Sequence, residues 1–252
     1  MPPAPDSFDD HRFAAELATA AGRLLMELRA ELVASGVDPT ELRAQGDRRS
    51  HALLMERLST DRPGDAVLSE EGDAEEGPGG RSRLEAERVW IIDPLDGTRE
   101  YGEVPRADWA VHVALVIGGR PAAGAVALPA QRITLGTRPP APMPPPPPSR
   151  PRVIVSRSRP PAVAASLAEA LGGDLVEMGS AGAKVAAVVM GAADVYAHSG
   201  GQYEWDSAAP VAVAAAAGLH VSRLDGSPLV YNNANPYLPT SWSATPTWPK
   251  LS

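Results

Sequence analysis

Phe13, Leu17, Ala21, Leu24, Leu28 and Leu32 recur every three or four positions through a polar stretch. That spacing predicts an amphipathic helix over residues 8–34, ended at Ser35-Gly36. A second helix is expected over Arg48–Ser59, with Leu54 and Leu58 inward. Val67-Leu68-Ser69 reads as a short strand running into Glu70-Glu71-Gly72, and residues 72–88, charged and Gly-rich, read as a mobile loop. Val89–Ile92 is apolar at every position, the pattern of a strand buried on both faces. Trp109–Ile117, a Gly118-Gly119 turn, Ala123–Leu128 and Gln131–Thr137 follow as an antiparallel meander. Eight prolines in residues 139–148 cannot enter a sheet interior and read as a stiff connector, which places a boundary between residues 1–148 and 149–252.

Beyond that boundary strand and helix alternate, the pattern of an α/β layer. Strands are expected at Val153–Val155, Leu175–Met178 and Val195-Tyr196, and helices at Pro161–Leu171, Ala183–Met190 and Asp206–Ala217. His220-Val221 and Leu229-Val230 flank an Asp225-Gly226 turn. The last twenty residues contain four prolines and show no helical period.

The chemistry concentrates where the Val89–Ile92 strand breaks off in Asp93-Pro94-Leu95-Asp96-Gly97-Thr98. Pro94 fixes its own φ and forces Asp93 into an extended conformation, so the chain is expected to leave the strand in a turn. Such a turn can aim both carboxylates and the Leu95 carbonyl at one point, and hard cations such as Mg²⁺ take oxygen ligands of this kind. Gly97 and Thr98 then offer backbone N–H groups at a helix start, where a phosphate binds. A strand-ending Asx or proline turn would need no ligand at all. The coincidence of metal ligands and an anion hole within six residues points instead to phosphoryl chemistry.

A formal charge of −8 argues against nucleic acid or an anionic membrane as a partner held by charge. An acidic protein that handles a polyanionic substrate needs bound cations, in agreement with the Asp93-Asp96 turn. The absence of cysteine excludes disulfides and thiolate metal sites. Residues 1–32 lack a basic start and an uninterrupted apolar core, and no apolar run is long enough to span a bilayer, so a cytoplasmic location is expected. The five histidines show no metal-ligand spacing, and His112, alternating within a strand, reads as a satisfied core or edge residue. No Gly-x-Ser-x-Gly elbow appears, so hydrolysis through a covalent serine intermediate is not expected.

The Asp93–Thr98 segment resembles the signature of the lithium-sensitive, Mg²⁺-dependent phosphatase superfamily, which includes inositol monophosphatases, fructose-1,6-bisphosphatases and 3′-phosphoadenosine-5′-phosphate (PAP) phosphatases. Glu204-Trp205-Asp206-Ser207-Ala208-Ala209 resembles its second signature. Ser69-Glu70-Glu71, Gly179-Ser180-Ala181-Gly182-Ala183-Lys184 and Leu224–Asn232 look closest to the PAP-phosphatase branch. Gly179–Lys184 fails the P-loop pattern.

The resemblance covers residues 8–238 and implies a layered α-β-α-β-α sandwich with the site between its halves. It makes Glu70, Asp93, the Leu95 carbonyl, Asp96 and Asp206 ligands for two or three Mg²⁺ ions, with Glu71 supporting them. It also gives Asp47 and Thr98 the task of orienting and deprotonating the attacking water. Gly97, Thr98, Gly179, Ser180 and Lys184 would bind substrate, with Lys184 facing a second phosphate or the nucleotide; from the residues alone Lys184 reads equally as a surface lysine on a helix. From the residues alone, Asp47 and Asp206 read equally as helix N-caps.

The implied reaction is hydrolysis of a phosphate monoester on a small nucleotide or sugar phosphate, foremost PAP to AMP, with a place in sulfur assimilation. An inositol monophosphatase or a catalytically lapsed binder are the alternatives, and a homodimer is compatible with the family. One departure stands out: relatives finish in a strand and a packed helix, whereas Thr240–Pro246 shows neither pattern, so a second half without its closing helix is expected.

Overall fold

The structure is a computed structural model that describes residues 7–72, 82–158, 160, 162–238 and 242–246. Five layers alternate. Helices α1 (Ser7–Ala34) and α2 (Pro39–Asp61) cover one face of a first sheet, whose strand order is β1 (Ala66–Ser69), β2 (Arg88–Asp96), β3 (Ala110–Ile117), β4 (Arg120–Leu128) and β5 (Ile133–Gly136). The short helix α3 (Thr98–Gly102) follows β2, and helices α5 (Ala181–Val189) and α6 (Glu204–Ala216) cover the other face of the sheet. The second sheet lies beyond them, built from β6 (Arg152–Ser156), β7 (Asp174–Met178), β8 (Val195–His198), β10 (His220–Arg223) and β12 (Trp242–Thr245), with α4 (Ala162–Leu171) against β6 and β7. A short ribbon pairs β9 (Gln202–Tyr203) with β11 (Tyr237–Leu238). This is the expected α-β-α-β-α sandwich.

Strand periodicity distributes the core between the layers. Trp90, Ile92, Val111, Val113 and Leu115 face α1 and α2, whereas Val89, Ile91, Ala110, Ala114 and Val116 face α5 and α6. The unbroken apolar run of β2 follows, because both of its faces are covered. A single hydrophobic cluster joins Val89 and Ile91 to Ile154, Tyr196 and Trp242, so it draws on residues from both sides of the proline run. That run, 139–148, carries no strand, and Pro144 is buried.

Several sequence expectations shift. On α1 the inward residue is Leu25, not Leu24, which is only half-buried. Helix α2 begins nine residues ahead of Arg48, because Asp38 caps it by accepting from Thr40 and Glu41 N–H while Pro39 opens the first turn. Asp47 therefore lies inside the helix and is no N-cap. Asp206 is not one either: it stands on the first turn of α6, and its Oδ2 accepts the N–H of Tyr203 at 2.7 Å. β2 does not end at Asp93 but continues to Asp96 through a bulge in its pairing with β3. Pro94 is tolerated there because the β1 ladder stops at Ser69 opposite Ile92, leaving no donor required on that side. Residues 73–81 of the expected loop and Pro161 lie outside the described residues.

The C-terminal segment differs most from expectation. Leu229-Val230 forms no strand with β10; instead β12 pairs antiparallel with β10 and with β8, in the interior of the second sheet. Trp242 is buried, stacks edge-on to Tyr196 at 5.1 Å and donates from Nε1 to Gln202 Oε1 at 2.8 Å. We expect Trp242→Ala to lower the free energy of unfolding in urea by about 3–5 kcal/mol, the usual cost of emptying a large aromatic site. A loss below about 1 kcal/mol would mean that β12 is not integral to the sheet.

Candidate active site

The ends of β1 and β2, the middle of α2 and the first turns of α5 and α6 meet at one place. The β2 bulge is what re-aims Asp93 and Asp96. Asp93 Oδ1 accepts the N–H of Leu95 at 3.0 Å, and Ser50 on α2 donates to the Pro94 carbonyl at 2.7 Å, so the turn is tied from inside and from the helix behind it. One carboxylate oxygen each from Asp93, Asp96 and Asp206 lies within 4.8 Å of the others. Glu70, next after β1, stands close enough to Asp93 for their charges to act on each other and keeps an exposed flank. Thr98 Oγ1 is 2.9 Å from the Leu95 carbonyl oxygen and 3.4 Å from Asp47 Oδ1. Seven of the residues singled out in the sequence thus gather within one site: Asp47, Glu70, Asp93, Leu95, Asp96, Thr98 and Asp206.

Gly97 takes φ +86°, and a Cβ there would stand 3.0 Å from that of Ser180, so only glycine lets the turn meet the start of α5 this closely. Ser180 itself holds φ +53°, a conformation that costs a non-glycine residue about 1–3 kcal/mol and clusters at functional sites. What holds it is visible: its Oγ accepts the N–H of Ala183 and donates to Asp96 Oδ2. The N–H groups of Ala181 and Gly182 also reach Asp96, at 3.1 and 2.6 Å. Gly179 donates to Asp108 Oδ2. Lys184 departs from expectation. It does not face outward toward a second phosphate; it is buried, its ammonium donates to the Ser180 carbonyl, and it lies 5.8 Å from the Tyr196 ring centre. A lysine one turn into α5 points back over the preceding turn, and there the charges of Asp96 and Asp206, brought in by the fold, favour its ammonium.

Electrostatics follow from burying so many acids together. Burial, reinforced by Asp206 and other neighbouring charges, pushes Glu70 up to about 7. Burial and the Asp96 charge push Asp206 up to about 6, and burial with the Glu70 charge raises Asp93 well above the usual carboxylate range. Asp47 reaches about 7 through burial and the Glu71 charge, against the opposing Thr98 hydroxyl. Asp96 is the exception. Burial acts to raise it, but His112, Lys184 and Ser180 together hold it well below the usual range. An oxygen-only donor set, under mutual repulsion, suits a hard divalent cation.

His112 is the residue that sequence reasoning missed as part of the site. It is fully buried, with Nδ1 3.0 Å from the Trp205 carbonyl oxygen and Nε2 3.2 Å from Asp96 Oδ2. Its parity along β3, shared with Ala110 and Ala114, was the available signal, because that face of the strand looks toward α6.

The layered fold and the converging carboxylates define a phosphatase of the sugar-phosphatase type, and comparison with known proteins agrees. The family model of the inositol monophosphatase family matches residues 9–138 and 150–249, and the chain belongs to that family. It is a phosphate monoester hydrolase of this metal-dependent family, with an acidic triad able to hold a metal. A 3′-phosphoadenosine 5′-phosphate phosphatase of Mycobacterium leprae is 50% identical over 91% of this chain and 87% of its own length. The 3′(2′),5′-bisphosphate nucleotidase CysQ of Escherichia coli is 30% identical over 88% and 94%. The crystal structure of inositol monophosphatase II from Staphylococcus aureus shares the fold, with a TM-score of 0.76 over 94% of this chain and 88% of its own, at 19% identity. No helix among the described residues is long and apolar enough to cross a membrane.

Proposed function

We propose that this enzyme hydrolyses the 3′-phosphate of PAP to give AMP and phosphate. The observation that carries the substrate is the 50% identity, over nine-tenths of the chain, to a relative named for that activity. The site supports it with a flat, exposed aromatic face. The Tyr203 ring stacks on Trp205 at 4.7 Å with 3° between planes, and the Tyr203 backbone N–H is held by Asp206. A purine can stack on such a ring; a cyclitol offers no π-face to it.

Glu70, Asp93, the Leu95 carbonyl, Asp96 and Asp206 would hold Mg²⁺, two or three ions in all, with Li⁺ competing for the site. When bound, such ions supply Lewis-acid charge to the phosphoryl oxygens and acidify water. The remaining work falls to the chain. Asp47, raised to about 7, is poised to accept a proton near neutral pH, and Thr98 bridges it to the Leu95 carbonyl, fixing where the water is held. The N–H groups of Gly97 and Thr98 would receive phosphoryl oxygens. Ser180 and Gly179 shape the pocket wall from the start of α5 while restraining Asp96 and Asp108. Positioning and charge stabilisation then provide the rate, as phosphoryl transfer requires. The same reading makes the enzyme a cytoplasmic member of sulfur assimilation that acts on a small nucleotide and not on nucleic acid.

The test is turnover of PAP, inositol-1-phosphate and fructose-1,6-bisphosphate at equal Mg²⁺. PAP should give the highest kcat/KM by at least about tenfold, equivalent to 1.4 kcal/mol in transition-state binding. Preference for inositol-1-phosphate would move the protein to the inositol branch, and turnover of none of the three would identify a lapsed binder.

A further inference from the structure

The fully buried imidazole of His112 touches three segments that each carry part of the site. Its Nδ1 stands 3.0 Å from the Trp205 carbonyl oxygen. A carbonyl only accepts, so Nδ1 carries a proton, and this bond fixes the ring plane against the residue immediately before Asp206. The opposite nitrogen, Nε2, stands 3.2 Å from Asp96 Oδ2, poorly aligned for a hydrogen bond and with no other partner. The third contact is steric: a Cβ at Gly182, on the first turn of α5, would overlap Nε2. In the β2–β3 ladder His112 also lies directly across from Asp93, at the last regular pair before the bulge.

From this geometry we infer that His112 is a positioning residue that sets the separation of Asp96 and Asp206 for cation binding. It does so as a rigid spacer between the β2 bulge and the first turn of α6. The physical need is plain. Asp96 and Asp206 lie on elements far apart in the chain, and their carboxylates repel. A planar ring hydrogen-bonded at one end to α6 and abutting Asp96 at the other holds the gap. Gly182 is required because any side chain there would occupy the space of the ring. Groups that orient metal ligands in this indirect way commonly change metal affinity by about 10–100-fold when replaced. The inference rests on the reading of Asp96 and Asp206 as ligands.

The two ring contacts can be separated. In His112→Asn the amide can still donate to the Trp205 carbonyl but falls short of Asp96; in His112→Gln the longer amide can reach Asp96. Affinity for Mn²⁺ would be measured by calorimetric titration on the full chain, beside the thermal midpoint in EDTA and the kinetics on PAP. His112→Asn should bind Mn²⁺ about 10–100-fold more weakly, with KM for PAP unchanged at saturating metal, and His112→Gln should recover part of the affinity. A merely structural histidine would lower the midpoint in EDTA and leave the affinity of the folded protein alone. Gly182→Ala provides a second route that retains both nitrogens but displaces the ring, and it should weaken Mn²⁺ binding similarly. If His112→Asn folds and binds Mn²⁺ within about twofold of wild type, the inference is overturned. Should His112→Asn fail to fold, wild-type affinity in Gly182→Ala overturns it. A wild-type protein that binds no Mn²⁺ overturns the ligand reading itself, and the inference with it.

Discussion

Asp93→Asn should reduce turnover of PAP by more than about a hundredfold at saturating Mg²⁺, while the metal-free protein becomes more stable. The lower bound comes from comparison: replacing groups that merely orient metal ligands already costs about 10–100-fold, and Asp93 sits inside the triad. The gain in stability follows from burial. Asp93 is fully buried and is raised by that burial and by the charges of Glu70, Asp96 and Asp206. An amide of the same shape removes one repelling charge and can still accept from the Leu95 N–H, so the turn survives. Steady-state kinetics paired with a thermal melt in EDTA check both halves. Activity within tenfold of wild type would remove Asp93 from the ligand set, and a lower melting point in EDTA would show that the cluster is not under electrostatic strain.

The second large effect is on stability as a function of pH and metal. In the metal-free fold Glu70 and Asp47 titrate at about 7 and Asp206 at about 6, against ordinary values of 4.5 for Glu and 3.8 for Asp. Between those limits the folded protein holds more protons than the unfolded chain, so stability is fully present below about pH 4 and is lost as pH rises toward 7. His112, raised from 6.5 by Asp96 against its burial, acts in the same direction. His11 and His51, lowered by burial, act oppositely, but they are outnumbered. Asp96, held low, contributes only at more acid pH.

The melting point in EDTA should therefore fall between pH 5 and pH 8. Mg²⁺ at a hundred times its dissociation constant should restore about 2.7 kcal/mol, or roughly 5–10 °C for a chain of this size. At one fixed Mg²⁺ concentration the restoration should be larger at pH 8, where protons no longer compete for the ligands and the dissociation constant is lower. Scanning calorimetry at the two pH values, with and without Mg²⁺, decides it. A melting point in EDTA that rises from pH 5 to pH 8 would contradict the raised acids.

How much of this was legible beforehand depends on the range of the interaction concerned. Phe13, Leu17, Ala21, Leu28 and Leu32 predicted α1, because a helix repeats its buried face every three to four residues whatever it packs against. The apolar run of β2 and the alternation of β3 and β4 likewise predicted strands. Asp93-Pro94-Leu95-Asp96-Gly97-Thr98 marked the site for a similar reason: its geometry is set within six residues by one proline, one glycine and two carboxylates. The start of α2 was legible too, in Asp38-Pro39-Thr40-Glu41, but Asp47 drew attention further along the chain.

Local pattern could not supply what depends on partners distant in sequence. Trp242–Thr245 becomes an interior strand only because β8 and β10 leave a gap that its backbone fills, and nothing within four residues encodes that pairing. Lys184 turns inward because Asp96 and Asp206 surround it with negative charge in the fold, whereas in the chain it is one more helical lysine. His112 joins the site through the Trp205 carbonyl and the Asp96 carboxylate, the first of them on an element built from the other end of the chain. The sequence by itself therefore determined the elements with a strong local period, and through its family resemblance it pointed to the layered class and the acidic residues able to hold a cation. Tertiary structure alone decided which cations and imidazole face those acids, since burial and charge become strong only where separate segments exclude water together.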